Sequence, residues 1–199
     1  MTDAPLLAPV STRDRIIAVA AGLLAAGGRE AVSTRAVSQA AGVQAPTIYR
    51  LFGDKQGLLD AVAEFGVQQY LVSKVEQPVG IDPIEDLRRG WNQHVAFGLE
   101  NPALYTLIYG EPRQGPPSPA AQSAMTMLAE KMQRIAASGR LRVSTDLAVD
   151  LIHALARGTT FSLIGTPTSQ DRQALSNLAW EAAISAITTN APVVAEAGP

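Results

Sequence analysis

Apolar residues recur three and four positions apart along most of the chain, which is the spacing of amphipathic helices. No long stretch alternates between apolar and polar positions with the period of two that strands require. The pattern therefore predicts an all-α fold of about nine helices and no sheet. The predicted helices cover approximately residues 11–26, 33–41, 45–51, 54–71, 84–101, 102–109, 120–138, 145–164 and 171–189.

Capping and breaking residues support these limits. Ser11 is placed to cap the first helix, and Asp14 three residues later completes a capping box. Gly27–Gly28 supply a left-handed stop for that helix, and Asp54 is placed to cap the fourth. The segment from Pro112 to Pro119, with four prolines and one glycine, predicts a loop.

The same pattern divides the chain into four parts. Residues 1–10 contain two prolines and no helical period, and we expect a flexible arm there. Residues 11–57 form a predicted small unit of three helices. Residues 58–189 form a predicted larger helical body, and residues 190–199 are expected to be a disordered tail. The fourth helix crosses the boundary between the unit and the body.

Composition excludes several classes of protein. The chain has 199 residues and no cysteine, so it has neither a disulfide framework nor a thiolate metal site. No signal core or run of 18 apolar residues is present. We therefore expect a cytoplasmic protein without a membrane span, and we predict neither a metal nor a cofactor. Residues 11–60 hold six basic against four acidic residues, a weakly basic unit on an acidic chain.

Residues 33–51 have the features that a helix-turn-helix motif requires. Gly42 stands between two short predicted helices, where the turn needs a residue that tolerates a positive φ. Pro46 falls in the first turn of the second helix, where its fixed φ is favourable. The small Ser38 and Ala41 allow the two helices to meet closely. Four apolar positions are expected to hold both helices on the first one: Val37, Val43, Ile48 and Leu51.

In such a motif the start of the second helix meets base edges in the major groove of DNA. Thr47 suits a thymine methyl group, Gln44 suits adenine, and Arg35 suits the N7 and O6 atoms of guanine. Tyr49 and Lys55 suit phosphate contacts, which set the register of the protein on the duplex. The segment therefore predicts sequence-specific binding to double-stranded DNA.

The segment resembles the DNA-binding region of the TetR family of bacterial repressors over roughly residues 12–60. The matching residues are Thr34–Arg35, Ala41–Gly42–Val43, Pro46–Thr47–Ile48–Tyr49, Phe52 and Lys55. The resemblance implies that Arg35, Gln44, Ala45, Pro46 and Thr47 face bases, and that Thr34, Tyr49 and Lys55 contact phosphates. It also implies a dimeric, ligand-binding helical body. Leu51 departs from the family, which often has histidine there.

The last two predicted helices are apolar on more than one face, which indicates burial on two sides. We expect one side to join the core and the other to form a homodimer interface, with Ala156, Gly158, Ala182, Ala183 and Ala186 small enough for close approach. A monomer with two deeply buried helices is the alternative. Candidates for lining a site for a hydrophobic or aromatic effector are Trp91, His94, Phe97, Tyr105, Ile108, Tyr109, Met125, Met132, Phe161 and Trp180.

Two other classes of function remain open. An enzyme would have to work with His94 and His153, the two histidines of the chain, and no phosphate-binding glycine motif is present. Asp150 and His153 share a helix face, but an exposed or interfacial pair is the simpler interpretation. A helical scaffold for other proteins is the second alternative. The sequence does not distinguish a repressor from an activator, and it names neither operator nor effector.

Overall fold

A computed structural model describes residues 11–73, 80–110, 117–167 and 171–189. Those residues form nine α-helices and no β-strand apart from one isolated bridge, as the apolar periodicity predicted. The helices are α1 (Thr12–Ala31), α2 (Thr34–Ala41), α3 (Ala45–Phe52), α4 (Lys55–Ser73), α5 (Pro83–Glu100), α6 (Pro102–Tyr109), α7 (Pro119–Ala137), α8 (Thr145–Gly165) and α9 (Arg172–Ile187). The predicted arm at 1–10 and tail at 190–199 lie outside the described residues.

The helices begin where side chains satisfy their free backbone amides. The hydroxyls of Ser11, Ser33, Ser118 and Ser144 accept from the third residue after them, and Asp54 accepts from the Gly57 amide at 2.8 Å. Ser11 also donates to the Asp14 carboxylate, in place of the reciprocal backbone bond of a full capping box. The prediction that Gly27–Gly28 end the first helix is wrong. Gly27 and Gly28 leave helical geometry, but a further turn continues α1 to Ala31, so the glycines kink the helix and do not end it.

The chain divides into two compact units, with the boundary after Leu71. The predicted boundary after residue 57 falls within the first turn of α4. In the first unit α2 packs against α1 and α3. Its core consists of residues buried from α1 to α4: Ile16, Ile17, Ala20, Leu24, Val32, Val37, Ala41, Ile48, Leu58, Leu59 and Val62.

In the second unit, here called the body, α8 packs against α5, α7 and α9. By length and composition alone α8 could cross a membrane, but residues such as Ile152, Ala156 and Leu163 are buried against these neighbours. An isolated bridge between Leu141 and Thr188 joins the chain before α8 to the end of α9. The apolar character of α8 is therefore that of a central core helix.

Candidate DNA interface and aromatic cluster

The turn between α2 and α3 has the geometry that its sequence predicted. Gly42 adopts φ 63° and ψ 39°, the left-handed conformation. The Val43 amide donates to the Ser38 carbonyl at 3.0 Å, which closes the end of α2. Gln44 is extended at the start of α3, and Pro46 lies in the first turn. A tight turn of this kind sets the direction in which α3 leaves α2.

Packing fixes one side of α3 and leaves the other to solvent. Ile48 on α3 and Val37 on α2 are buried, whereas Val43 and Leu51 are only half-buried. The Arg13 guanidinium lies 5.4 Å from the centre of the Phe52 ring and so ties α1 to the end of α3. The predicted anchors therefore hold α3 by its inner side.

The residues predicted to contact DNA lie on the surface of this unit. Tyr49 is 52% exposed. Arg35, Gln44 and Pro46 are also exposed, while Thr34, Ala45, Thr47 and Lys55 are half-buried. All eight belong to α2, α3, the turn between them or the first residue of α4. The start of α3 thus presents polar and small side chains outward, and no predicted contact residue is sealed in the core.

A series of hydrogen bonds connects the end of α1 to the start of α4. Arg29, in the last turn of α1, donates to the Gln56 side-chain oxygen at 2.9 Å. Gln56 in turn donates to Asp60 at 2.9 Å. Gly57 lies directly against the Phe52 carbonyl, where a Cβ atom would collide with the backbone. These contacts fix the start of α4, and therefore Lys55, relative to α1 and α3.

In the body, five of the predicted effector-site residues lie together. They are His94 and Phe97 on α5, Tyr105 and Tyr109 on α6, and Phe161 on α8, here called the aromatic cluster together with His153 of α8. The Tyr105 ring lies 4.8 Å from that of Tyr109 and 5.0 Å from that of Phe161, centre to centre. Offset and edge-to-face pairs at these separations are favourable.

The polar atoms of the aromatic cluster are held in a water-poor setting. His94 Nε2 and the Tyr105 hydroxyl form a 2.8 Å hydrogen bond. Burial, with a smaller contribution from His153, lowers the pKa of His94 to about 4. Burial also raises the pKa of Tyr109 to about 12 and raises the pKa of Tyr105. All three side chains are therefore neutral at neutral pH.

The other predicted effector-site residues lie elsewhere or contribute only packing. Trp91 is buried in the hydrophobic core, where its indole donates to Ser176 at 3.1 Å and its ring meets Trp180 edge-on. Met132 is fully buried and Met125 packs against the same core. Ile108 is half-buried. The structure thus separates one predicted set into a Trp91–Trp180 core pair and the aromatic cluster.

His153 is the member of the aromatic cluster that sequence reasoning did not include. Its ring lies 5.9 Å from that of Tyr109. One feature of the sequence indicates that His153 belongs with the aromatic residues: His153 and Phe161 are eight residues apart on one helix and so lie on the same side of it. Among the described residues, no group of three or more histidine and carboxylate side chains could hold a metal ion.

The start of α3 exposes polar side chains, and the buried Ile48 anchors the helix on the core. This arrangement defines the first unit as a helix-turn-helix DNA-binding domain of a transcriptional regulator. Residues 16–62 match the family model described as bacterial regulatory proteins, tetR family. The matched stretch, from Ile16 in α1 to Val62 in α4, is that of the tetR family. No curated protein sequence matches it.

Solved structures share the fold over nearly the whole chain. A tetR family regulator from Shewanella sp. PV-4 is 19% identical, with a TM-score of 0.69, over 90% of this chain and 100% of its own. NalD of Pseudomonas aeruginosa, the secondary repressor of the MexAB-OprM multidrug efflux pump, is 19% identical with a TM-score of 0.63, over 90% and 98%. A TetR variant from Acinetobacter baumannii AYE, solved with minocycline, is 17% identical with a TM-score of 0.63, over 86% and 93%.

Proposed function

We propose that this chain is a cytoplasmic, sequence-specific repressor, and not an enzyme. In this proposal it binds a palindromic operator as a homodimer and leaves it when a small hydrophobic or aromatic effector binds. The exposed start of α3 carries the proposal, because Gln44, Pro46 and Tyr49 face solvent while Ile48 behind them is buried. A helical scaffold would not require this arrangement of short polar side chains. The repressor NalD shares the fold, which supports the direction of regulation.

Selection of bound sequences from a random duplex pool tests the partner directly. A palindromic consensus with half-sites one helical turn apart, about 34 Å, is expected from two α3 helices related by a two-fold axis. Affinity for the selected duplex should also exceed that for random duplex, and both should fall as salt rises. Equal affinity for selected and random duplex would contradict sequence-specific recognition.

Arg35→Ala and Tyr49→Phe are expected to weaken operator binding in different ways. Removal of the Arg35 guanidinium should cost about 1–3 kcal/mol and relax the preference at one base position. Loss of the Tyr49 hydroxyl should cost about 1–2 kcal/mol on every sequence alike, because a phosphate contact carries no base information. Fluorescence anisotropy on the selected duplex and its single-base variants measures both effects.

The exposed Arg142 provides the control for charge alone. Arg142→Ala removes one positive charge from the body and should leave the base preference unchanged. An Arg35→Ala protein that binds with unchanged affinity and unchanged preference would remove Arg35 from the proposed interface.

The proposed dimer interface lies on α8 and α9. Leu147 on α8 and Leu175 and Leu178 on α9 are among the exposed large apolar side chains, Leu178 at 69%. Gly158, Ala182 and Ala186 are exposed as well, whereas Ala156 and Ala183 are buried in the core. Exposed leucines beside small residues suit the close packing of helices from a second copy.

Leu178→Glu is expected to raise the dimer dissociation constant on the order of 100-fold, because the new carboxylate would be buried without a partner. Sedimentation velocity measures the change, and operator affinity should fall with it. Met127→Glu is the matched control, since Met127 is an exposed apolar residue on α7. If both variants stayed dimeric, the interface would lie elsewhere.

For the effector response we propose a shift between two states of the dimer that differ in the separation of their α3 helices. The aromatic cluster is the proposed effector site, and the similar TetR variant solved with minocycline supports a ligand in this fold. α4 begins in the first unit and ends at Ser73, past the boundary, so it provides the covalent connection. A coupling free energy of about 1–3 kcal/mol would change operator occupancy substantially. An operator affinity that stays constant at saturating effector would contradict it.

A further inference from the structure

One face of α8 brings three different kinds of side chain to the aromatic cluster. His153, Arg157 and Phe161 follow one another at intervals of four residues, so they share a helix face. At the ends of this row, Phe161 contacts Tyr105 and His153 contacts Tyr109. Arg157 therefore lies between two ring contacts made by α6. The row combines an imidazole, a guanidinium and an aromatic ring over about two turns of helix.

His153 has an unsatisfied polar atom within this surface. Its Nε2 is buried and has no hydrogen-bond partner. Buried polar atoms of native proteins are nearly always hydrogen-bonded, so an exception calls for an explanation. Tyr109, whose ring lies against the imidazole, is the last residue of α6 and is only half-buried.

The charges that face the aromatic cluster favour an anion. Burial is the main cause of the lowered pKa of His153 and of the raised pKa of Tyr105. The positive charge of Arg157 is a smaller influence on both groups and acts toward a lower pKa in each. Asp150, three residues before His153, acts in the opposite direction on the pKa of His153, but its side chain is exposed. Across the described part of the chain, no carboxylate forms an ion pair with Arg157. The guanidinium is therefore available to a ligand.

We propose that the aromatic cluster binds a planar aromatic carboxylate. The ligand ring would pack against the rings of Tyr109 and Phe161, and its carboxylate would accept hydrogen bonds from His153 Nε2 and Arg157. A guanidinium binds a carboxylate through two parallel N–H donors, which fixes orientation as well as charge. This assignment rests on the proposed function, since it names the chemical class of the effector.

Cinnamate, cinnamamide and cinnamylammonium test the assignment, because they share one planar frame and differ in head group. Isothermal titration of the full chain at neutral pH should give cinnamate a dissociation constant at least about tenfold lower than that of the amide. The ammonium compound should bind more weakly than either. Arg157→Gln and His153→Phe should each weaken cinnamate about tenfold and weaken the amide much less, because the amide oxygen accepts hydrogen bonds but carries no charge. Arg142→Gln, a change of the same kind outside the aromatic cluster, is the control.

Arg157 is exposed, so Arg157→Gln is expected to fold, and circular dichroism checks both variants. Cinnamate that does not bind, that binds no better than the amide, or that binds Arg157→Gln as tightly as the parent chain would overturn the assignment. A protein that binds cinnamate but selects no duplex would instead contradict the proposed regulator and leave the ligand class standing. A palindrome selected without cinnamate binding would do the reverse.

Discussion

Asp86→Ala is expected to lower the free energy of unfolding of the body by about 3 kcal/mol. Asp86 is buried, and its carboxylate pairs with Arg89 and, at 2.5 Å, with Arg134 of α7. It also accepts from the Gly80 amide at 2.9 Å. Loss of the carboxylate leaves two guanidiniums and an amide without their partner. This loss of stability is at the lower end of the range measured when one partner of a buried ion pair is removed, because both arginines remain partly exposed.

Urea unfolding followed by circular dichroism measures this change. Asp86→Asn should lower the free energy of unfolding by less than Asp86→Ala, because the amide oxygen of asparagine still accepts one hydrogen bond. Glu85→Ala is the matched control: it removes a carboxylate from the same first turn of α5, but Glu85 is exposed. A shift of about 0.5 kcal/mol or less is expected there. Equal losses for Asp86→Ala and Glu85→Ala would show that the buried network adds nothing beyond the helix-end charge.

Gly98→Ala is expected to destabilise the body by about 2 kcal/mol, although alanine is the better helix former. A Cβ atom at Gly98 would overlap the Thr160 methyl group and would come within 3.0 Å of Tyr105 Cδ2. Thr160 is fully buried and its hydroxyl donates to the Ala156 carbonyl at 2.8 Å, so its side chain has little freedom to turn away. The close approach of α5 to α8 and to Tyr105 therefore depends on this glycine.

Gly90→Ala separates the steric effect from helix propensity. Gly90 lies in the same helix, and a Cβ there would meet only the flexible Lys131 side chain, at 3.4 Å. This variant should be stabilised by up to about 1 kcal/mol. Urea unfolding of both variants gives the comparison. A Gly98→Ala protein that is as stable as Gly90→Ala would mean that α5 moves away from α8 at little cost.

The helix-turn-helix motif was largely predictable because its determinants are local. The left-handed Gly42, the proline in the first turn of α3 and the burial of Val37 and Ile48 all follow from residues fewer than fifteen positions apart. Gly27–Gly28 show the limit of such reasoning. Two consecutive glycines favour a stop, yet the buried Val32 that follows belongs to the core, and one more turn carries the chain toward it.

The effector-site candidates show the opposite case. Aromatic residues on α5 to α8 were recognisable as a group, but their sequence did not separate Trp91, which pairs with Trp180, from His94, which bonds Tyr105. The two residues are less than one turn of α5 apart. Which neighbour each one meets depends on the helices that pack on either side of α5.

The sequence by itself determined the helical class, the helix limits to within a few residues and the turn that presents α3. These properties arise from apolar periodicity, caps and backbone preferences within one or two turns of chain. Only the tertiary structure decided that Asp86 pairs with Arg134, that the Thr160 methyl group packs closely against Gly98 and that His153 joins the aromatic cluster. Those partners lie dozens of residues apart, and the packing of one helix against another determines which of them meet.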